Sequence, residues 1–172
     1  NSNNGLESIV DVPLTWQSVA GGVSIDGGVY HENMITNHPF NVPETWYPNH
    51  LLQGFTTQHH HLLGNENIDE IHLIGLDSSG DSVNIVLSDI QSGGTFTQAS
   101  GFGMLELNNS SSVSEIGGRI VVDWQFEVDW DWNDSQSISW SAQGYDEEGE
   151  GLSPATAQSG GIATQASEND LQ

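Results

Sequence analysis

The sequence predicts an all-β fold: a single β-sandwich or jelly-roll-like domain with extended N- and C-terminal segments. Apolar and polar residues alternate with period two along several stretches, as they do on half-buried strands. Helix formers are scarce, and β-branched, aromatic, Gly and Ser residues prevail. Pairs such as Gly21-Gly22, Gly27-Gly28, Gly93-Gly94 and Gly117-Gly118 punctuate the stretches as turns do. Eight or so short strands with Gly-rich turns suit a sandwich.

The clearest element is Arg119–Trp132. Ile120, Val122, Trp124, Phe126, Val128, Trp130 and Trp132 fall on one face, and Arg119, Asp123, Gln125, Glu127, Asp129 and Asp131 on the other. At about 3.3 Å per residue the run is long for one strand, so it is expected to bend or to serve two sheets in turn. Ser137–Ala142 repeats the pattern, and the two are expected to form a hairpin across the polar 133–136 segment. Ile68–Leu76 and Ser82–Ile90 read as a second hairpin around the turn Asp77–Asp81, DSSGD. Further strands are expected at Leu6–Val12, Leu14–Val19, Gly22–His31, Leu51–His60 and Thr95–Leu107. Ile35–His50 carries three prolines and no alternation, and reads as a long ordered loop. Its aromatic residues either line a pocket or plug the end of the sandwich. The sandwich is expected over residues 1–145. Residues 146–172 read as a polar tail that a neighbouring subunit would order by strand addition, giving a homo-oligomer.

Charge sets the environment. The chain has 172 residues, 24 acidic and one basic, for a formal charge of −23. The single basic side chain is Arg119. Repulsion at that charge opposes compaction in dilute buffer, and salt relieves it, because the Debye length falls to about 3 Å at 1 M. The composition therefore points to a halophilic or saline setting, or to bound calcium that supplies the missing positive charge. One arginine cannot provide the basic footprint of a nucleic-acid binder or hold an anionic membrane surface. No apolar run reaches the roughly 20 residues of a membrane span. The start at Asn1 fits a chain whose leader has been removed, so an extracellular, cell-surface or virion location is expected. Cysteine is absent, which rules out disulfides and thiol chemistry. Asn108, Asn109 and Asn133 each begin an N-x-S/T glycosylation triplet.

Two constellations could hold a metal. On a strand His59 and His61 share a face while His60 points away, and Glu66 follows. With Gly54 before them and Gly75 after, these residues resemble the metal-binding segment of the cupin barrels. That resemblance implies a metal-dependent enzyme with His59, His61 and Glu66 as ligands. Their spacing departs from the cupin pattern, and no second half-motif follows. The same histidines also read as a polar cluster, or as one that tunes an interface with pH. Asp129, Asp131 and Asn133 form D-x-D-x-N, a fragment of a calcium loop without its glycine and terminal glutamate. The same carboxylates read as a hydrated face suited to brine, and paired carboxylates also serve glycosidases.

No nucleophile elbow or phosphate-cradling loop is present. The functions expected, in order, are a structural subunit of an extracellular or virion assembly (pilus or filament, surface layer or capsid), a secreted carbohydrate- or calcium-binding module, and a cupin-like metal-dependent enzyme.

Overall fold

The computed structural model describes residues 34–48, 51–132 and 136–147, together with the backbone of four further strands. In chain order the strands are β1 Val23–Ile25, β2 Gly28–Tyr30, β3 Ile35–Asn37, β4 Thr45–Trp46, β5 Gln53–His61, β6 Glu70–Asp77 and β7 Ser82–Ser88. They continue with β8 Thr95–Ser100, β9 Leu105–Leu107, β10 Ser112–Ile116, β11 Arg119–Val128, β12 Ser137–Tyr145, β13 Ala155–Thr156 and β14 Gly161–Ala163. The segments expected at Leu6–Val12 and Leu14–Val19 lie outside the described residues, as does His50.

Two packed sheets make a β-sandwich, as the alternation predicts. The smaller has the order β10-β11-β5-β3, with β9 beside the far end of β11. The larger has the order β4-β14-β12-β6-β7-β8, with β13 also on β12. Pairing is antiparallel except that β14 runs parallel to β4. Among the described residues β1 and β2 pair with each other alone, so Gly22–His31 holds a two-strand ribbon and not the single strand expected.

Period-two burial builds the core. On β11, Ile120, Val122, Trp124, Phe126 and Val128 are buried, and the residues between them reach the surface. On β12, Ile138, Trp140 and Ala142 face them from the other sheet. Trp46, Phe55, Phe126 and Trp140 meet with ring centroids 5.1–6.3 Å apart, mostly edge-on or tilted, the arrangement that aromatic quadrupoles favour. Gly75 makes room for this cluster, since a Cβ there would lie 2.8 Å from the Trp140 ring. The expected loop Ile35–His50 holds two short strands and feeds Phe40, Val42 and Trp46 into the core as a plug, while its His38–Asn41 segment also borders a surface cleft.

Three expectations give way. β11 ends at Val128, although the alternation of apolar and acidic residues runs on to Trp132. There the Asp129 carboxylate accepts a hydrogen bond from the Asp131 N–H at 2.7 Å, a local turn that competes with the ladder. β11 and β12 are no hairpin, because the chain passes from the smaller sheet to the larger between them. Thr95–Leu107 is not one strand: β8 belongs to the larger sheet and β9 to the smaller. The switch turns on Gly101, whose φ of +88° is left-handed and whose missing Cβ would lie 2.5 Å from Val83. The β6–β7 hairpin around Asp77–Asp81 is as expected.

Candidate functional site

The histidine strand comes first. Along β5 the burial alternates, so Phe55, Thr57, His59 and His61 point inward, and Thr56, Gln58 and His60 point outward. His59 is fully buried, and both ring nitrogens have protein partners. The Trp124 indole N–H can only donate, and it donates to Thr57 Oγ1 at 2.9 Å. Thr57 is thereby free to donate its own proton to His59 Nε2, 3.0 Å away. His59 Nδ1 lies 2.7 Å from the Asn37 side-chain oxygen, which also accepts from the Gly144 N–H at 2.9 Å. An acceptor on one side and a hydroxyl donor on the other select the neutral tautomer with the proton on Nδ1. Burial, with a smaller contribution from nearby His38, pulls the His59 pKa down to about 3. The network starts on β11 and β5, passes through β3 and ends on β12. It ties the two sheets together with a chain of hydrogen bonds.

His61 is buried too. Its Nδ1 accepts from the Leu63 N–H at 3.1 Å, and its own N–H donates to Asn65 Oδ1. Glu66 sits exposed on the 3-10 turn Asn65–Asn67. His59 and His61 thus share a face, as the strand period requires, while Glu66 stands on the surface. Among the described residues no group of three or more His, Asp or Glu side chains comes together as a metal ion would need. Asp129 is half-buried and occupied by the turn to Asp131, which is exposed; Asn133 lies outside the described residues.

Sequence reasoning named Asp77 only as a turn residue. Its carboxylate is buried and accepts from the Ser79 N–H, the Ser79 hydroxyl and the Asp81 N–H, all on Oδ1, and from the Trp132 indole on Oδ2 at 3.2 Å. Burial alone would raise its pKa. The hydrogen bonds from the Ser79 and Trp132 side chains and the Asp81 and Ser79 backbone outweigh it and hold the pKa below the ordinary value.

The two outer faces of the sandwich differ in charge. The smaller sheet presents Glu106, Arg119, Asp123 and Glu127, with Glu106 directly opposite Glu127. Beside them a shallow cleft of about 170 Å³ is bordered by Trp130, which is 37% exposed. The larger sheet presents Ser82, Asn84, Val86 and Ser88 from β7, Thr95 and Thr97 from β8, and Ser137, Ser139, Ser141, Gln143 and Tyr145 from β12. From β6 it presents Glu70, His72, Ile74 and Leu76. Glu70 is the only acid among these positions, and it lies 2.7 Å from His72, whose ring rests on Tyr145. Ile74 and Leu76 are 41% and 48% exposed at the centre of this face.

Arg119 opens a second cleft of about 340 Å³, which lies between the start of β11, the outward side of β5 and the His38–Asn41 segment. The guanidinium donates to Gln58 Oε1 at 2.7 Å. The His38 and His60 rings stack at 5.7 Å beside it. Burial first, and then the charges of Arg119 and His60, lower the His38 pKa.

The chain matches no model of a known protein family, and no curated protein is similar to it in sequence.

Proposed function

We propose that the protein is a structural subunit of an extracellular or virion assembly that works in saline surroundings, and that copies pack through the outer face of the larger sheet. The scarcity of charge on that face, where Glu70 is the only acid among the outward positions of β6, β7, β8 and β12, carries the reading. A copy at −23 meets repulsion almost anywhere on another copy. The outer face of β6, β7, β8 and β12 is where that repulsion is least. Its hydroxyls and amides donate and accept alike, so two copies of one face satisfy each other in an isologous contact. Ile74 and Leu76 supply apolar area at its centre. Four strands of this length span about 20 Å by 25 Å, hence about 500 Å² per copy and about 1,000 Å² for a pair. That lies at the low end for a specific interface, so a pair is weak alone, and because an isologous contact closes on itself an array requires a second contact on another face, which adds strength by repetition. β13 and β14 lie beside β12 of the same chain, so strand addition between copies would take the form of exchanging these strands.

Negative-stain electron microscopy of the protein in 3 M KCl tests this. Regular filaments, sheets or shells are the expected outcome. Single particles of one subunit at every concentration would overturn it.

A carbohydrate-binding module is the second reading, and exposed Trp130 beside Glu106 and Glu127 favours it. Titrating neutral oligosaccharides, with and without calcium, against tryptophan fluorescence tests it; a flat response removes it.

A further inference from the structure

Arg119 is the chain's only basic side chain, set among 24 acidic residues. No carboxylate reaches it: among the described residues the sole ion pair joins His72 and Glu70. The acid nearest to it on its own strand face is Asp123, four residues along and hence about 13 Å away by strand rise. The Asp123 carboxylate accepts instead from Gln125 Nε2 at 2.7 Å. A guanidinium carries five donors in a rigid fork, and among the described residues this one donates to the neutral oxygen of Gln58.

The surroundings of that fork are donors as well. The Gln58 side-chain oxygen is taken by Arg119, which leaves its amide N–H groups for another acceptor. The Thr56 hydroxyl and the Asn41 amide border the same cleft. His38 and His60 stand next to Arg119, and among the described residues no carboxylate borders the cleft. The walls thus present several hydrogen-bond donors and one permanent positive charge, in a chain whose other permanent charges are acidic. Planar, bidentate anions fit such a fork best.

We propose that the Arg119 cleft is a socket for a carboxylate, held by the guanidinium fork with help from the Gln58 and Asn41 amides. Two sources share that chemistry. One is an acidic side chain of a second copy, and this source rests on the assembly reading above. The other is a small free carboxylate, which does not depend on assembly. A free anion must approach a molecule of charge −23. A carboxylate on a neighbouring copy of the array, held close by the contacts of the larger sheets, escapes that penalty through its high effective concentration, so another copy is the favoured source and the socket is a second contact, on the opposite sheet. High salt screens the distant repulsion more than the contact itself, so the socket suits brine.

The test compares the protein with Arg119→Gln. Arg119 is exposed, and unchanged melting by circular dichroism confirms that the variant folds. In the first arm, the His38 and His60 Cε1–H signals are followed by NMR while potassium acetate replaces KCl at constant potassium. A small-carboxylate socket raises the His38 pKa in the native protein and leaves Arg119→Gln unmoved, because the anion neutralises the charge that now opposes His38 protonation. In the second arm, sedimentation velocity in 3 M KCl measures self-association. A socket for a second copy weakens roughly tenfold in Arg119→Gln, the loss of one charge-assisted contact. A response in either arm supports the socket and identifies its source. No response in either arm overturns it, and it does so even if regular assemblies form. An acetate response without any assembly leaves the socket standing and removes the assembly reading.

Discussion

At the scale of single residues, Thr57 and His59 show how a polar network can sit in an apolar core. Thr57→Val keeps the shape but strands two buried groups, the Trp124 N–H and His59 Nε2. An unmet buried polar group costs about 1–3 kcal/mol, so urea denaturation should show a loss of about 2–4 kcal/mol. His59 also fixes a pH response. Its folded pKa is about 3 against 6.5 unfolded, so below pH 6.5 the unfolded chain binds a proton that the native state refuses. The stability from a neutral His59 is complete above pH 6.5 and is lost progressively as the pH falls toward 3. Asp77 adds to this at lower pH, because its own pKa is depressed and its stabilisation is lost as it is protonated. Urea midpoints at pH 7.5, 6 and 4.5, taken in 3 M KCl to screen the general repulsion, should fall steadily. A flat profile would contradict a buried neutral His59. Three consecutive histidines announce a strand that alternates, and sequence reads that much. It does not read the partners Asn37 and Gly144, which arrive from 22 residues upstream and from the opposite sheet.

At the scale of elements, period two reveals the buried face of a strand but not the sheet it joins. β11 and β12 alternate alike, and each buries its even-numbered residues up to Ala142. They nevertheless belong to opposite sheets, and only the path of the chain between them decides that. The end of β11 was hidden for another reason: Asp129–Trp132 keeps the alternation while a single carboxylate turns the backbone away. The β6–β7 hairpin was legible because DSSGD holds both the turn and the carboxylate that organises it. Gly101 carries the change of sheet between β8 and β9. Gly101→Ala meets an unfavourable left-handed φ and a Cβ 2.5 Å from Val83, whose own Cα is at 2.7 Å and cannot yield. A loss of about 2–4 kcal/mol in chemical denaturation is expected, against about 1–2 kcal/mol for Gly80→Ala, whose φ of +98° carries the same strain but whose Cβ meets open space.

At the scale of the whole molecule, charge governs. Composition made the −23 legible, but which face is spared became visible only when the strands were assigned to sheets. Circular dichroism melts should give a clearly higher midpoint at 3 M KCl than at 0.1 M, with the hairpins and core unchanged in spectrum. Equal midpoints would show that the charges are spaced too widely to matter. Placing a new carboxylate at the centre of the larger sheet, as Leu76→Asp, should weaken self-association in sedimentation by tenfold or more. The same charge at Ser110→Asp, on the exposed turn between β9 and β10 and away from both the larger sheet and the Arg119 cleft, should leave it nearly unchanged. Equal effects at both positions would mean that the contact lies elsewhere.

The seat of β14 has a kinetic consequence. Ile162 pairs with Thr45, so the larger sheet joins residues separated by most of the sequence. Closing so long a loop is entropically slow, and a growing polypeptide cannot finish that sheet until residues 161–163 have been made. Until then β12 offers an unpaired edge to any other chain nearby, so the interval between synthesis and closure is when copies could exchange strands.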